Sequence, residues 1–160
     1  MKIRIGQGYD VHRLEEGAQF WLGGIQIDHH KGAVGHSDAD VLIHVICDAL
    51  LGAANLRDIG FHFPDTDPKY RGIDSKELLK EVVQLLRSEG FSIGNIDATV
   101  VLQTPKIKPR IPEMQACLAK AMGVKEKDIS IKATTTERLG FVGKEDGVSA
   151  FAVALIQKAG

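Results

Sequence analysis

The stretch "DADVLIHVICDALLGAAN" (Asp38–Asn55) is a long apolar-rich run that reads as a helix. Ser37 is the expected N-cap, with Asp40 three positions on completing a capping-box pattern. Working outward from this helix, Ile3 and Ile5 alternate with charge in "KIRIGQGY", so residues 2 to about 9 read as a strand. "QFWLGGIQI" reads as a second strand, bent at Gly23 and Gly24, and the two strands are expected to pair. On the other side, "DSKELLKEVVQLLRSEG" is a helix capped by Asp74, with Glu77 completing its capping box and Gly90 as its stop. "NIDATVVLQTP" is strand-like, Pro112–Met122 is a helix ended by Gly123, and "DISIKATTT" and "VSAFAVALIQ" are two further strands. Strand, strand, helix, helix, strand, helix, strand, strand is the order of an α/β (α+β) two-layer sandwich: a mixed sheet with helices on one face. The last strand is apolar at nearly every position. Something must therefore cover its second face, and another subunit is the simplest candidate.

At 160 residues, with no repeat, low-complexity segment or linker, residues 1–160 are expected to form a single domain. Twenty basic against 21 acidic residues argue against a broad nucleic-acid surface, while leaving room for a local basic pocket. No apolar run approaches a membrane span, and "MKIRIGQGY" is too briefly apolar for a secretory signal, so a cytoplasmic location is expected. Cys47 and Cys117 show no CxxC spacing and sit in apolar helical contexts, as small buried hydrophobes do.

The chemistry concentrates in a few segments. Asp10 and His12 are two apart on a strand and face the same way, while His44 shares a helical face with Asp40 and Asp48. Asp10, His12 and His44 would suit zinc with one coordination position open, and Asp40 or Asp48 would then orient the outer nitrogen of His44. The alternative is a turn-capping Asp10 with surface or hydrogen-bonded core histidines. His36 and Ser37 lie just before the helix, where an anion is favoured; a simple cap and a solvated histidine account for them equally. His29 and His30 read as exposed loop residues. "RDIGFHFPDTDP" (Arg57–Pro68) is either a connector or a binding flap. "PKIKPRIP" (Pro105–Pro112) is a solvated loop or a cationic rim. In "KATTTERLGF" the threonines are β-formers by default, yet beside Lys132 and Glu137 they could serve a nucleotide phosphate and an oxygen-preferring metal.

Taken together, "GYDVH", "HSDADVLIH", "DALLGAA", "DIGFHFPDTDP", "QTPKI" and "KATTTERLGF" resemble the 2-C-methyl-D-erythritol 2,4-cyclodiphosphate synthase family, in the same order and with matching gaps. The resemblance implies a phosphorus–oxygen lyase of the non-mevalonate isoprenoid pathway. Its members convert 4-diphosphocytidyl-2-C-methyl-D-erythritol 2-phosphate to the 2,4-cyclodiphosphate and release CMP. It also implies a homotrimer with active sites between adjacent subunits, and neither nucleic acid nor membrane as partner. By the same resemblance Asp10, His12 and His44 bind Zn²⁺, and Glu137 holds Mg²⁺ (or Mn²⁺). His36 and Ser37 line the substrate phosphate, Asp58, Ile59 and Gly60 hold the methylerythritol portion, and Phe63, Asp65 and Asp67 fall in a flexible flap. The cytidine pocket would come from Leu102, Pro105, Lys106, Ile107 and Lys108, with Ala133, Thr134, Thr135 and Thr136 across the subunit boundary. Phe141 and Lys144 match later substrate contacts, and His36, Thr135 and Glu137 are the implied catalytic positions. Ala39 stands where members often carry glycine. On the residues alone, a zinc phosphohydrolase and a metal-stabilised binding module remain as rivals.

Overall fold

The computed structural model describes residues 2–158. Its longest element is β1 (Lys2–Glu16), which extends well past the polar "GYDVHR" segment where the sequence pattern fades. Pairing explains the extra length: β1 runs antiparallel to β7 (Gly147–Lys158) from Lys2 to Arg13, and to β4 (Lys31–Val34) from Arg13 to Glu16. Backbone hydrogen bonds along two neighbours hold it extended where side-chain patterning gives no cue. β5 (Phe91–Val101) lies antiparallel to β7 and parallel to β6 (Ile129–Thr134), completing a five-stranded mixed sheet in the order β4-β1-β7-β5-β6.

The expected second strand is instead a hairpin, β2 (Phe20–Leu22) and β3 (Ile25–Ile27), which forms its own two-stranded sheet and does not pair with β1. Gly23 and Gly24 both take positive φ, +61° and +80°, which makes a tight two-residue turn where the sequence reads only as a bend.

Three helices cover one face of the sheet. The first, α1 (Val41–Ala53), packs on β1 and β7. A four-residue helix, α2 (Ile59–His62), leads toward α3 (Ser75–Ser88), which packs on α1, and α4 (Ile111–Met122) packs on α3 and β6. A last short helix, α5 (Gly140–Gly143), precedes β7. None of the described helices is long and apolar enough to cross a membrane.

α1 sits unusually near β1. A Cβ at Gly6 would lie 2.0 Å from the Ala49 carbonyl oxygen and one at Gly8 would lie 2.1 Å from that of Val45, so only glycine lets helix backbone rest on strand backbone. The N-cap of α1 is Asp40, not Ser37: fully buried, it accepts from Ile43 N at 3.1 Å, and also from Gly23 N and Gly24 N at 2.9 and 2.7 Å. One carboxylate thus starts the helix and ties the β2–β3 turn to it. Burial pushes the Asp40 carboxyl above its usual range, against the pull of those hydrogen bonds. Just before it, Ala39 takes φ +58°, the left-handed conformation that favours glycine. Asp74 caps α3 as expected, but the Glu77 carboxylate binds Lys80 and leaves the reciprocal half of the capping box unmade.

The opposite face of the sheet is uncovered. Ile3, Ile5, Tyr9 and Val11 of β1 and Phe151 and Val153 of β7 all point there, with Ile5 69% exposed and the Tyr9 and Phe151 rings 4.9 Å apart.

Candidate metal centre and substrate site

Because β1 alternates faces, the same side that carries Gly6 and Gly8 carries Asp10 and His12. The close seat of α1 brings His44 over them. His12 Nε2 and His44 Nδ1 are 3.0 Å apart, and each lies 3.1 Å from Asp10 Oδ2. An N–H can aim at only one acceptor, so a near-equilateral triangle of three such atoms is not a hydrogen-bond chain; all three point toward a common centre. Ligands of a tetrahedral zinc at 2.0–2.1 Å sit about 3.3 Å from one another, so the spacing and the mixed oxygen and nitrogen donor set fit that ion with one position open. The other Asp10 oxygen accepts from Val11 N at 2.8 Å, which fixes the carboxylate. Burial works to raise the Asp10 carboxyl, but the two imidazole rings set against Oδ2 outweigh it and hold the group well below the usual carboxylate range.

Neither Asp40 nor Asp48 orients His44. Asp40 is committed to the cap, and Asp48 accepts from Ile59 N at 2.9 Å, anchoring α2 instead. The outer nitrogen of His44, Nε2, faces the hydroxyls of Ser37 and Ser75, each at 3.0 Å. The sequence gives no sign of this role for Ser75, which looks like the ordinary first residue of a capped helix.

Around this centre a cavity of about 330 Å³ is lined by Asp10, His12 and His44 together with His36, Ser37, Ile59, Gly60, Phe63 and Asp65. The residues expected at the metal, the substrate phosphate, the methylerythritol portion and the flap thus share one cavity. Asp58 and Asp67 stand at its margin: Asp58 caps α2 through Phe61 N, and the Asp67 carbonyl lies 3.4 Å from His36 Nε2. Ser37 Oγ accepts from Ala39 N at 3.2 Å.

The remaining site residues gather elsewhere, where β5 and β6 end. Leu102 N donates to the Thr134 carbonyl and Arg138 N to Gln103 Oε1, joining the "LQTPKIK" segment to the threonine run within one chain, so the subunit boundary expected between Leu102–Lys108 and Ala133–Thr136 does not divide them. Leu102 and Ile107 bury their side chains in the core, while Lys106, Lys108, Ala133, Thr134 and Glu137 are exposed, as are Phe141 within α5 and Lys144 at its end. Lys132 is ion-paired to Asp97 on the open side. Thr134 donates its hydroxyl to the Thr135 carbonyl and Thr136 to that of Leu139, whereas Thr135 Oγ1 accepts from Glu137 N and keeps its hydrogen to give. Glu137 itself sits at φ +53°.

Register fixes how the two groups lie. Val11 pairs with Ser149, Ser149 with Val101, and Val101 with Thr134, so both groups are at the same end of the sheet. Two strand spacings separate β1 from the end of β5 and three from the end of β6, about 10 and 14 Å. Of the remaining sequence expectations, His29 is half-buried rather than exposed, with its Nε2 unpartnered, and Cys47 is fully buried while Cys117 is only partly so.

The YgbB family model matches residues 3–157. Among curated relatives, the 2-C-methyl-D-erythritol 2,4-cyclodiphosphate synthase of Bacteroides thetaiotaomicron is 61% identical over 158 residues, 99% of each chain. That of Porphyromonas gingivalis (strain W83) is 63% identical over 96% of this chain and 95% of its own. Of solved structures, the bifunctional IspDF from Campylobacter jejuni superposes with a TM-score of 0.95 at 42% identity, over 99% of this chain and 43% of that one. The IspF of Plasmodium falciparum, a CDP complex, gives a TM-score of 0.86 at 33% identity, over 99% and 97%.

Proposed function

Since the chain belongs to the YgbB family, it is a cyclodiphosphate synthase of isoprenoid biosynthesis, a phosphorus–oxygen lyase, and we propose how its residues carry out that reaction. The substrate is 4-diphosphocytidyl-2-C-methyl-D-erythritol 2-phosphate. An oxygen of its 2-phosphate attacks the β-phosphorus, the bond from that phosphorus to the bridging oxygen breaks, and CMP leaves with the electron pair as 2-C-methyl-D-erythritol 2,4-cyclodiphosphate closes. The observation that carries this reading is the triangle of Asp10, His12 and His44 at the wall of a cavity that also holds His36 and Ser37.

The nucleophile belongs to the substrate and is largely ionised near neutral pH, its second pKa being about 6. No side chain has to remove a proton, so the protein's part is positioning and charge compensation. Ser37 accepts from Ala39 N and has its own hydrogen to give to a phosphate oxygen; His36 helps to hold that phosphate in line. Asp58, Ile59 and Gly60 hold the methylerythritol portion, and Phe63, Asp65 and Asp67 close over it. Asp10, His12 and His44 would hold Zn²⁺ and Glu137 would hold Mg²⁺ (or Mn²⁺), and these ions, when bound, would supply Lewis-acid neutralisation of charge on the phosphates. Thr135, the one threonine of its run with a hydroxyl hydrogen left to give, donates to the diphosphate as charge builds on it.

The gap of about 10 to 14 Å between the two groups of residues is the reason to invoke a second copy. We read residues 1–160 as one synthase domain that works as a homotrimer: the open apolar face of one chain meets its neighbours, and the cytidine segments Leu102–Lys108 and Ala133–Glu137 of one copy face the metal centre of the next. We place it in the cytoplasm, acting on a small cytidine-linked molecule.

The direct test follows ³¹P resonances of the protein with this substrate, Zn²⁺ and Mg²⁺. CMP and the cyclic diphosphate should appear together. CMP with a linear phosphate product would make the protein a hydrolase, and no turnover with metal bound would make it a binding module.

A further inference from the structure

We infer that Asp38 and Ser75 are positioning residues that orient the metal ligand His44, a step that rests on reading Asp10, His12 and His44 as a metal centre. Ser75 is wholly buried at the first position of α3, and His44 is only 6% exposed, so water does not settle the hydrogen bonds between them. Everything depends on where one hydroxyl hydrogen points.

Asp38 decides it. Its Oδ2 accepts from Ser75 N at 2.9 Å, and its Oδ1 accepts from Asp40 N at 3.1 Å while lying 2.5 Å from Ser75 Oγ. An ionised carboxylate can only accept, so the Ser75 hydrogen goes to Asp38. The Ser75 oxygen then has only lone pairs to offer His44 Nε2, 3.0 Å away, and Nε2 must carry the imidazole hydrogen. Nδ1 is left with its lone pair aimed at the point shared with Asp10 and His12, the form in which a histidine binds a metal.

Without this arrangement the tautomer would be contested. Asp10 Oδ2, 3.1 Å from Nδ1, would accept a hydrogen there, and the Ser37 hydroxyl, 3.0 Å from Nε2, can turn to donate as well as to accept. Ser75 cannot turn, because Asp38 holds its hydrogen. The backbone supports the same geometry: Asp38 N donates to the Ile73 carbonyl and Gly72 N to that of His36, lacing the segment before α1 to the segment before α3. The start of one helix therefore aligns a ligand carried on another.

The test measures Zn²⁺ affinity of the whole protein by competition with a chromophoric chelator, and reads the His44 ring nitrogens of the Zn²⁺-loaded protein by ¹⁵N NMR. The parent should show Nδ1 on the metal and a slowly exchanging Nε2–H. Ser75→Ala should weaken Zn²⁺ binding by about 10- to 100-fold, the scale known for residues that orient metal ligands, and speed exchange of that hydrogen. Ser75→Thr, which keeps the hydroxyl, should recover both. Asp38→Ala is the second variant, since it removes the acceptor that holds the Ser75 hydrogen and frees that hydrogen to turn toward His44; the same weakening is expected. A parent that binds Zn²⁺ through Nε2, or a folded Ser75→Ala with parental affinity and exchange, would overturn the inference while leaving the metal centre standing. A parent that takes up no Zn²⁺ would overturn both.

Discussion

Within its 15 residues β1 shows two unlike surfaces. Toward α1 it presents Gly6 and Gly8, then Asp10 and His12, and each of these meets the helix or its ligand histidine. Away from α1 it presents Ile3, Ile5, Tyr9 and Val11, which one chain leaves in water. The contrast teaches how a short segment can do two jobs: alternation at period two would separate the proposed metal-ligand pair from the proposed assembly surface without spending extra chain. It also binds the jobs together, because a one-residue slip would exchange the two sets completely.

The inner surface can be broken at its narrowest point. Gly8→Ala would drive a Cβ to 2.1 Å from the Val45 carbonyl, and neither element can give way cheaply. We expect the largest effect here, a loss of about 3 kcal/mol in urea unfolding together with loss of metal binding. A variant as stable as the parent would disprove the direct seating of α1. Next in size, His44→Ala should abolish Zn²⁺ uptake and lower turnover by about 10³-fold. Glu137→Gln should retain Zn²⁺, measured by elemental analysis, and lose Mg²⁺-dependent turnover. Equal effects of the two on Zn²⁺ content would merge what are read as separate metal roles.

The outer surface is tested by Val153→Lys. A buried unpaired ammonium would cost about 3 kcal/mol of assembly energy, so sedimentation should shift toward the 17.4 kDa chain while Zn²⁺ content is unchanged and turnover falls. Full turnover by a monomer would refute sites shared between copies. The smallest change is expected at Asp48, back on the helix side. Burial pushes its carboxyl upward against the Ile59 N–H bond. A raised native pKa means that the folded state binds the proton more tightly, so this group's contribution to stability falls as pH rises from about 4. Asp48→Asn keeps an acceptor for Ile59 and should flatten that part of the melting-temperature profile, by less than about 4 °C at any pH.

These elements differ in how plainly the sequence shows them. The helix–strand order could be read from Asp38–Asn55 outward because apolar periodicity is a local signal. The end of β1 could not, since "GYDVHR" is polar and is held straight by β7, more than 130 residues away. The Gly23–Gly24 pair carried a turn signal that reads as a bend unless both φ values are known to be positive. Asp10, His12 and His44 were legible as candidates by residue type and spacing, and the family resemblance pointed to the segments proposed here for phosphate and cytidine. Ser75 and Asp38 were not, because they are 37 residues apart and only folding makes them partners. Ser37 looked like the cap because it precedes the helix in a familiar pattern, yet Asp40 won by satisfying three buried N–H groups at once.

The backbone contact at Gly6 and Gly8 has a consequence for how the site tolerates change. Where a helix stands off a sheet on side chains, every altered volume in the core resets the distance between them. Here the spacing between β1 and α1 is set by main-chain atoms that no substitution elsewhere can lengthen or shorten. Repacking at Leu42 or Ile46 would then spend stability and leave the distance from Asp10 and His12 to His44 as it was. The ligand geometry is buffered against drift in the core, and its weak points are two positions that carry no side chain.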